Sequence, residues 1–280
     1  MLNPAKPVHL PVVAAAAIGL LLAACQRETE PVAPEPEPTA PVATDPETPL
    51  NPALGRRELL AAVAAAASNY AAGAAPATTD PLVGRQFDIR LAFGCEGAEA
   101  PPADGAGDGL GRWSWSEDRQ SIRLSLTPGD WVKSALIAGA GAGEDQWEAV
   151  EGFWISRPWM ASDGCPSLRA DPLASGPLAP SPPTVGLAAV FETDGSRLGR
   201  RNGRAYAHTL RQTGDARLVP SDGGYRVRLQ GRIAAFPDGR AIRCRAANAN
   251  QRPVCVAAAQ LDRVAFETPA GGVLSEWRPG

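Results

Sequence analysis

The stretch GYRVRLQGRIAAF, residues 224–236, alternates between apolar and polar side chains. A period of two is typical of a β-strand with one buried face. The sequence therefore predicts a strand here and a mainly β protein. The inward face would carry Tyr225, Val227, Leu229 and Ile233, and the outward face Arg226, Arg228, Gln230 and Arg232.

The same alternation recurs on both sides of this stretch. RQFDIRLAFGC (85–95) and WSWSEDRQSIRLSL (113–126) show it toward the N-terminus, and VCVAAAQLDRVAFE (254–267) forms one or two closing strands. Asn202–Gly203, Asp238–Gly239 and residues 222–224 are typical of tight hairpin turns. We expect AIRCRA, residues 241–246, to return alongside the strand that precedes Asp238–Gly239. Short strands joined by such turns predict an antiparallel β-sandwich or barrel-like lobes.

A proline-rich segment, residues 171–184, divides the strand-rich part of the chain. Residues 80–184 hold eight basic and fifteen acidic side chains, whereas residues 185–280 hold fifteen basic and eight acidic ones. Segments of opposite charge attract each other. We therefore expect two β lobes, a Trp-rich acidic lobe (80–184) and an Arg-rich basic lobe (185–280), docked into one unit.

The residues before position 80 fall into three parts. Residues 1–24 open with positive charge and continue as an apolar run, which is typical of a signal peptide. Residues 25–54 are rich in proline and glutamate, so we expect a disordered, extended tether. Within residues 55–79, the alanine-rich stretch 56–72 predicts one helix, which Gly73 and Pro76 would end.

Leu22-Ala23-Ala24-Cys25 resembles the lipobox of bacterial lipoproteins. This resemblance implies that Cys25 is acylated and becomes the first residue of the mature chain. Several acyl chains anchor a protein to a membrane far more firmly than one. Gln26 follows the cysteine instead of aspartate, and the resemblance then implies the outer membrane, with the protein facing the periplasm.

Four cysteines remain after Cys25, and an even number in an exported chain predicts two disulfides. Three connectivities are possible. The most economical pairs Cys95 with Cys165 and Cys244 with Cys255, because each pair then lies within one half of the chain. The cysteines contain no CxxC pair, so we expect no zinc site and no cofactor.

Six of the seven tryptophans fall between residues 113 and 159, and Trp154, Arg157 and Trp159 lie close together in EGFWISRPWMASDGCP (151–166). Exposed aromatic rings beside an arginine can stack on sugars or hold an anionic group. The same residues could instead pack in the core. The sequence therefore offers Trp154, Arg157 and Trp159 as candidate ligand-binding residues.

Five arginines form a second candidate surface, because they alternate outward on strands that we expect to be neighbours. They could meet phosphates, carboxylates or an acidic protein, or they could simply be solvated. Export and the net charge of −3 disfavour nucleic acid. The five residues are Arg226, Arg228, Arg232, Arg243 and Arg245.

Signals of catalysis are few. His208 is the only histidine after the signal peptide, and the chain contains no GxSxG motif. The glycine-rich stretch 138–144 lacks the lysine of a phosphate loop. Adjacent carboxylates occur at 117–118, 144–145 and 148/151, mostly in turn-like sequence. We therefore expect a non-enzymatic envelope lipoprotein that binds an envelope glycan, an anionic lipid or a protein partner; the alternatives are a cell-wall or glycan hydrolase using paired carboxylates and an assembly factor without a small ligand.

Overall fold

Strands dominate the described chain, as its alternating sequence predicts. The computed structural model describes residues 52–75, 79–100, 102, 105–137, 147–166, 183–214 and 217–278. The predicted signal peptide, the predicted acylation site Cys25 and most of the predicted tether lie outside these residues, as does the glycine-rich stretch 138–144. The predicted disorder is wrong at Leu54, which is buried and donates its N–H to the carbonyl of Gln86. The elements are α1 (Arg56–Ala71), β1 (Gln86–Phe93), β2 (Gly111–Trp115), β3 (Ser121–Leu126), β4 (Gly129–Asp130), β5 (Trp147–Trp154), β6 (Val185–Glu192), β7 (Tyr206–Arg211), β8 (Tyr225–Ile233), β9 (Ile242–Arg245), β10 (Val254–Glu267) and β11 (Val273–Trp277).

The strands form a large sheet and a small one, which pack as a sandwich. The large sheet has the order β1-β8-β10-β6-β5-β4, and β9 and β11 also pair with β10. The small sheet has the order β2-β3-β7. The pairs between described strands are antiparallel, with one exception: β6 and β10 run parallel, from Val185 opposite Cys255 to Ala189 opposite Ala259. The antiparallel sandwich is thus confirmed, with one parallel pair at its centre.

The expected division into lobes 80–184 and 185–280 is wrong. Strands from the two segments pair directly, since β1 pairs with β8, β5 with β6, and β3 with β7. Pro49–Gly280 consequently form one compact unit. The opposite charges of the two segments do meet, but as ion pairs within this unit, such as Asp88 with Arg228 and Glu148 with Arg200.

The expected return of residues 241–246 alongside β8 is also wrong. Gly239 does form a turn at positive φ, and its N–H donates to Phe236. The chain then continues past the end of β8 and pairs with β10 instead, with Arg245 opposite Val254. β8 and β9 therefore lie end to end along the same side of β10, because the turn projects as a loop out of one continuous ladder.

The main core lies between the two sheets. The predicted inward residues of β8 are buried there, together with Ile122, Leu124 and Leu126 of β3. The core also holds the alternate residues of β1, which are Phe87, Ile89, Leu91 and Phe93. Helix α1 packs against the same core through Leu59 and Val63. Burial of an apolar side chain stabilises a fold by roughly 1.5–3 kcal/mol, so the helix is part of the folded unit.

A second, smaller core covers part of the other face of the large sheet. Trp131 and Trp147 are buried in it beside Val150 and Phe236. The Trp131 ring lies so close to β5 that a Cβ at Gly152 would come within 2.0 Å of it. Glycine in this strand is therefore explained by the close approach of a ring.

Both disulfides pair as predicted. Cys95 bonds to Cys165, and Cys244 bonds to Cys255 directly across the β9–β10 ladder. Stable disulfides are typical of chains that fold outside the cytoplasm. The two bonds therefore indicate an extracytoplasmic protein.

Candidate ligand-binding site

The structure brings Trp154, Arg157 and Trp159 to one cleft of about 590 Å³, which we call the Trp–Arg cleft. Trp154 ends β5, and the other two residues lie on the segment that follows. Small-molecule sites commonly have volumes of roughly 300–1,000 Å³. The cleft is thus large enough to hold a small ligand.

The floor of the Trp–Arg cleft is apolar and comes from both sheets. Phe93, Phe153 and Val227 contribute from the large sheet, and Leu126 contributes from the small one. All four side chains are buried. At the mouth of the cleft, Trp159 is 57% exposed, which is more than any other tryptophan in the described residues. An apolar floor with an exposed aromatic rim is the common design of a small-ligand site.

The segment after β5 is held in place at both ends. The N–H of Ile155 donates to Val185, and the Ser156 hydroxyl donates to the carbonyl of Ala92 over 3.1 Å. At its far end the segment carries Cys165, which is bonded to Cys95. The disulfide therefore fixes this wall of the cleft to the end of β1.

Arg157 has an unusual backbone, with φ at 50°. Left-handed φ is uncommon for residues other than glycine and is often retained at functional sites. Its guanidinium Nη2 lies 2.8 Å from Glu96 Oε1, and Nη1 lies 3.5 Å from Cys95 Sγ. Arg157 thus braces the rim of the cleft rather than presenting a free charge.

Arg56, which the sequence reasoning did not single out, supports the same wall. It is 5% exposed and donates three hydrogen bonds to backbone carbonyls, two at Ser156 and Arg157 and one at Met160. Burial lowers the pKa of this guanidinium, which Asp163 partly offsets. Its sequence position gives no signal of this role, because the partners lie about a hundred residues away.

The other tryptophans support the core alternative that the sequence left open. Trp113, Trp131 and Trp147 are buried. Trp154 shares both roles, since it lines the Trp–Arg cleft while its ring lies 4.6 Å from that of Trp131. Trp159 is the tryptophan of the cluster that is free to meet a ligand.

The predicted arginine face is wrong, because β8 and β9 are not neighbouring strands. Several of its side chains also bind carboxylates or backbone carbonyls of the protein. Arg228 Nε lies 2.8 Å from Asp88 Oδ1, and its Nη1 lies 3.4 Å from Glu267 Oε1. Arg90 reaches the other oxygen of the fully buried Glu267 over 3.0 Å. These four residues form the Asp88–Arg228–Glu267–Arg90 network, which ties β1, β8 and β10 together.

The remaining arginines of that set have separate surroundings. Arg243 and Arg245 donate to the carbonyls of Ile137 and Ala135, and so hold the loop after β4. Arg226 is half-buried, and Arg232 is exposed. The five arginines therefore do not form one open cationic surface.

Of the candidate carboxylates, Asp118, Glu148 and Glu151 each bind other groups of the protein. Asp118 accepts bonds from Ser116 and Gln120 in the β2–β3 turn, and residues 144–145 lie outside the described chain. Glu148 binds Arg197 and Arg200. Glu151 lines a second cleft of about 820 Å³, where its Oε1 accepts the N–H groups of Arg201 and Asn202 over 2.7 and 2.8 Å.

Glu151 gives the first prediction. Burial raises its pKa, and the two backbone N–H groups and nearby arginines only partly offset this. The folded protein therefore binds this proton more tightly than the unfolded chain, and stability is lost as the pH rises from 4.5 through the folded pKa. Glu151→Gln can still accept both N–H bonds, so we expect it to remove that loss.

The measurement is urea unfolding of the wild type and Glu151→Gln between pH 4 and 7.5. The variant should gain stability relative to the wild type as the pH rises, because other titrating groups cancel in the difference. Glu117→Gln, an exposed residue in the β2–β3 turn, serves as the control. A pH-independent difference between Glu151→Gln and the wild type would show that the buried carboxyl does not titrate in this range.

The chain matches no protein-family model, no curated protein and no solved structure. Within the described ranges, no group of three or more histidine, cysteine, aspartate or glutamate side chains could hold a metal ion. No helix in the same ranges is long and apolar enough to cross a membrane. The features of this protein that bear on its function are therefore the Trp–Arg cleft and the sequence itself.

Proposed function

We propose that this protein is a lipid-anchored binding protein of the bacterial cell envelope, which holds a small ligand in the Trp–Arg cleft without catalysing a reaction. The observation that carries the proposal is an apolar cleft floored by both sheets, with Trp159 exposed at its mouth. Covering apolar surface with a ligand removes it from water, and this lowers the free energy of the complex.

The location rests on the sequence and agrees with the disulfides. Leu22-Ala23-Ala24-Cys25 resembles a lipobox, and the two disulfides are typical of an oxidising compartment. Gln26 favours the outer membrane. The proline- and glutamate-rich segment before the folded unit would extend at about 3.1 Å per residue and carry that unit away from the bilayer.

The experiment is a non-reducing native mass spectrum of the protein purified from its own membranes. Acylation of Cys25 appears as added mass on a chain that begins at that residue. A further mass that survives gentle ionisation and is lost on unfolding is the expected bound ligand. A chain that still carries residues 1–24, or that carries no acyl mass, would contradict the lipoprotein assignment.

Trp159→Ala gives the second prediction, for the occupancy of the cleft. Because exposed aromatic rings at binding sites commonly contribute more than 1 kcal/mol, we expect the variant to bind the retained ligand about tenfold more weakly. Its unfolding free energy should change by less than about 0.5 kcal/mol, since the ring is largely exposed. Leu198→Ala, at a residue that is 60% exposed outside this cleft, is the matched control. Equal retention by Trp159→Ala and Leu198→Ala would place the ligand elsewhere.

A further inference from the structure

The charges around the Trp–Arg cleft narrow the class of ligand. We infer that the ligand is an amphiphile with an apolar chain and a head that donates hydrogen bonds and bears no negative charge. This inference rests on the proposed function, because it describes what the same cleft binds. It follows from the apolar floor of the cleft and from the exposed carboxylates and buried guanidiniums at its rim.

The floor selects the apolar chain. Its buried side chains are aromatic and aliphatic, and they continue into the main core between the sheets. A sugar or another polyhydroxylated ligand placed here would lose its hydrogen bonds to water without replacement, which costs free energy. An alkyl chain loses none, and each CH₂ that leaves water tightens binding about fourfold.

The rim selects the head. Arg157 pairs with Glu96, and their side chains are 20% and 80% exposed. Arg112 pairs with Glu99 in the same order, at 11% and 65%. In both pairs the guanidinium is mostly buried and the carboxylate is exposed to solvent. An approaching head group therefore meets carboxylate oxygens, which accept hydrogen bonds and repel anions.

The experiment first compares three probes that share a twelve-carbon chain, and a fourth completes the series. They are dodecanoate, which is anionic, the monoglyceride of dodecanoic acid, which is neutral and hydroxylated, and dodecyltrimethylammonium, which is cationic and has no N–H or O–H donor. Binding is measured by calorimetry below the micelle concentration. Dodecylammonium joins the series as a cation that does donate. Residues 26–280 are used, without the acylated cysteine, because Pro49–Gly280 form a compact unit that holds both disulfides and the whole cleft.

We expect the monoglyceride and dodecylammonium to bind at least about fivefold more tightly than dodecanoate, since one carboxylate near the head contributes about 1 kcal/mol in water. The better of these two identifies whether hydroxyl or ammonium donors are the natural head. Shortening the chain from twelve to ten carbons should weaken either of them about fifteenfold. Preferred binding of dodecyltrimethylammonium over both donors would overturn the hydrogen-bonding part of the inference.

Charge-neutral rim variants test the cause of the selectivity. Glu96→Gln with Glu99→Gln should raise the affinity for dodecanoate about fivefold, because the two carboxylates that repel its head group are then neutral. Arg112 keeps Asp108 as its ion-pair partner in this variant. Glu117→Gln with Glu192→Gln changes the net charge equally at two exposed positions elsewhere. This control should leave the affinity for dodecanoate unchanged. An equal response of the two double variants would show that net charge, not the rim, sets the selectivity.

Two negative outcomes are distinguishable. If dodecanoate binds as tightly as the uncharged probe and Trp159→Ala weakens both, the cleft binds ligands but the inferred head is wrong. If none of the probes binds, and Trp159→Ala also leaves the natural adduct unchanged, the proposed function of the cleft fails together with the inference.

Discussion

Arg228→Met is expected to lower the free energy of unfolding by about 3 kcal/mol, because hydrogen bonds to charged groups each contribute about 1.5–3 kcal/mol. The Arg228 guanidinium donates to Asp88 and approaches Glu267, whose carboxylate is fully buried. Methionine keeps the length of the side chain but removes its charge and donors. Glu267 would then keep its ion pair with Arg90, and Asp88 would keep the hydrogen bond from the amide of Gln230.

The control for this experiment lies on the same strand and the same face. Arg232→Met makes the identical change at an exposed position of β8, so its unfolding free energy should stay within about 0.5 kcal/mol of the wild type. Urea unfolding at pH 7 measures both variants. Equal effects of Arg228→Met and Arg232→Met would show that the Asp88–Arg228–Glu267–Arg90 network does not stabilise the sheet.

The same network has a pH signature. Burial alone would raise the pKa of Asp88, but hydrogen bonds from Arg228 and the charges of Arg228 and Arg90 outweigh it, and the pKa lies below its ordinary value of 3.8. Its contribution to stability is therefore complete above pH 3.8 and is lost as the pH falls through the lower, folded pKa. Arg228→Met should reduce that acid-dependent loss.

Much of the β structure could be predicted because one face of each strand is buried. In β1 and β8 the alternation of apolar and polar residues identifies the inward side chains, and the structure confirms them. β6 carries no such signal. It reads VGLAAVFE and is buried over its first six residues, since it lies between β5 and β10 with packed groups on both faces. A strand buried on both faces shows no alternation.

The order of strands could not be predicted. The turns at Asn202–Gly203 and Gly239 are real, with left-handed φ at Asn202, Gly203 and Gly239. Each nevertheless joins strands that do not pair with each other, because a local turn decides where the chain bends and not which strand it then meets. The partners are chosen by burial of whole faces, which is a property of the complete sheet.

The candidate site was predictable only where it is local in sequence. Trp154, Arg157 and Trp159 lie within six residues, so their proximity could be read directly. Glu96 binds Arg157 from 61 residues away in the sequence, and Arg56 binds Ser156 from 100 residues away. No periodic pattern links either residue to this segment. The alternating arginines of β8 show the same limit, since alternation predicts the face but not Asp88 on the neighbouring strand.

Arg56→Met is the second large effect, and it should act on stability and ligand binding together. The variant leaves the carbonyls of Ser156, Arg157 and Met160 without their charged donor. Loss of hydrogen bonds to a charged, buried group costs about 1.5–3 kcal/mol, and we expect about 3 kcal/mol of unfolding free energy here. Because Trp159 lies between two of these carbonyls in sequence, its ring should lose its fixed position at the mouth of the Trp–Arg cleft.

Arg57→Met provides the matched control, since Arg57 is the next residue in the same first turn of α1 and is exposed. Hydrogen exchange of residues 155–160, with unfolding measured in parallel, separates the two consequences. Faster exchange confined to this segment in Arg56→Met, together with weaker retention of the ligand, would show that α1 positions the wall of the cleft. Uniformly faster exchange across the whole unit would instead mean that Arg56 stabilises the fold without a particular effect on the site.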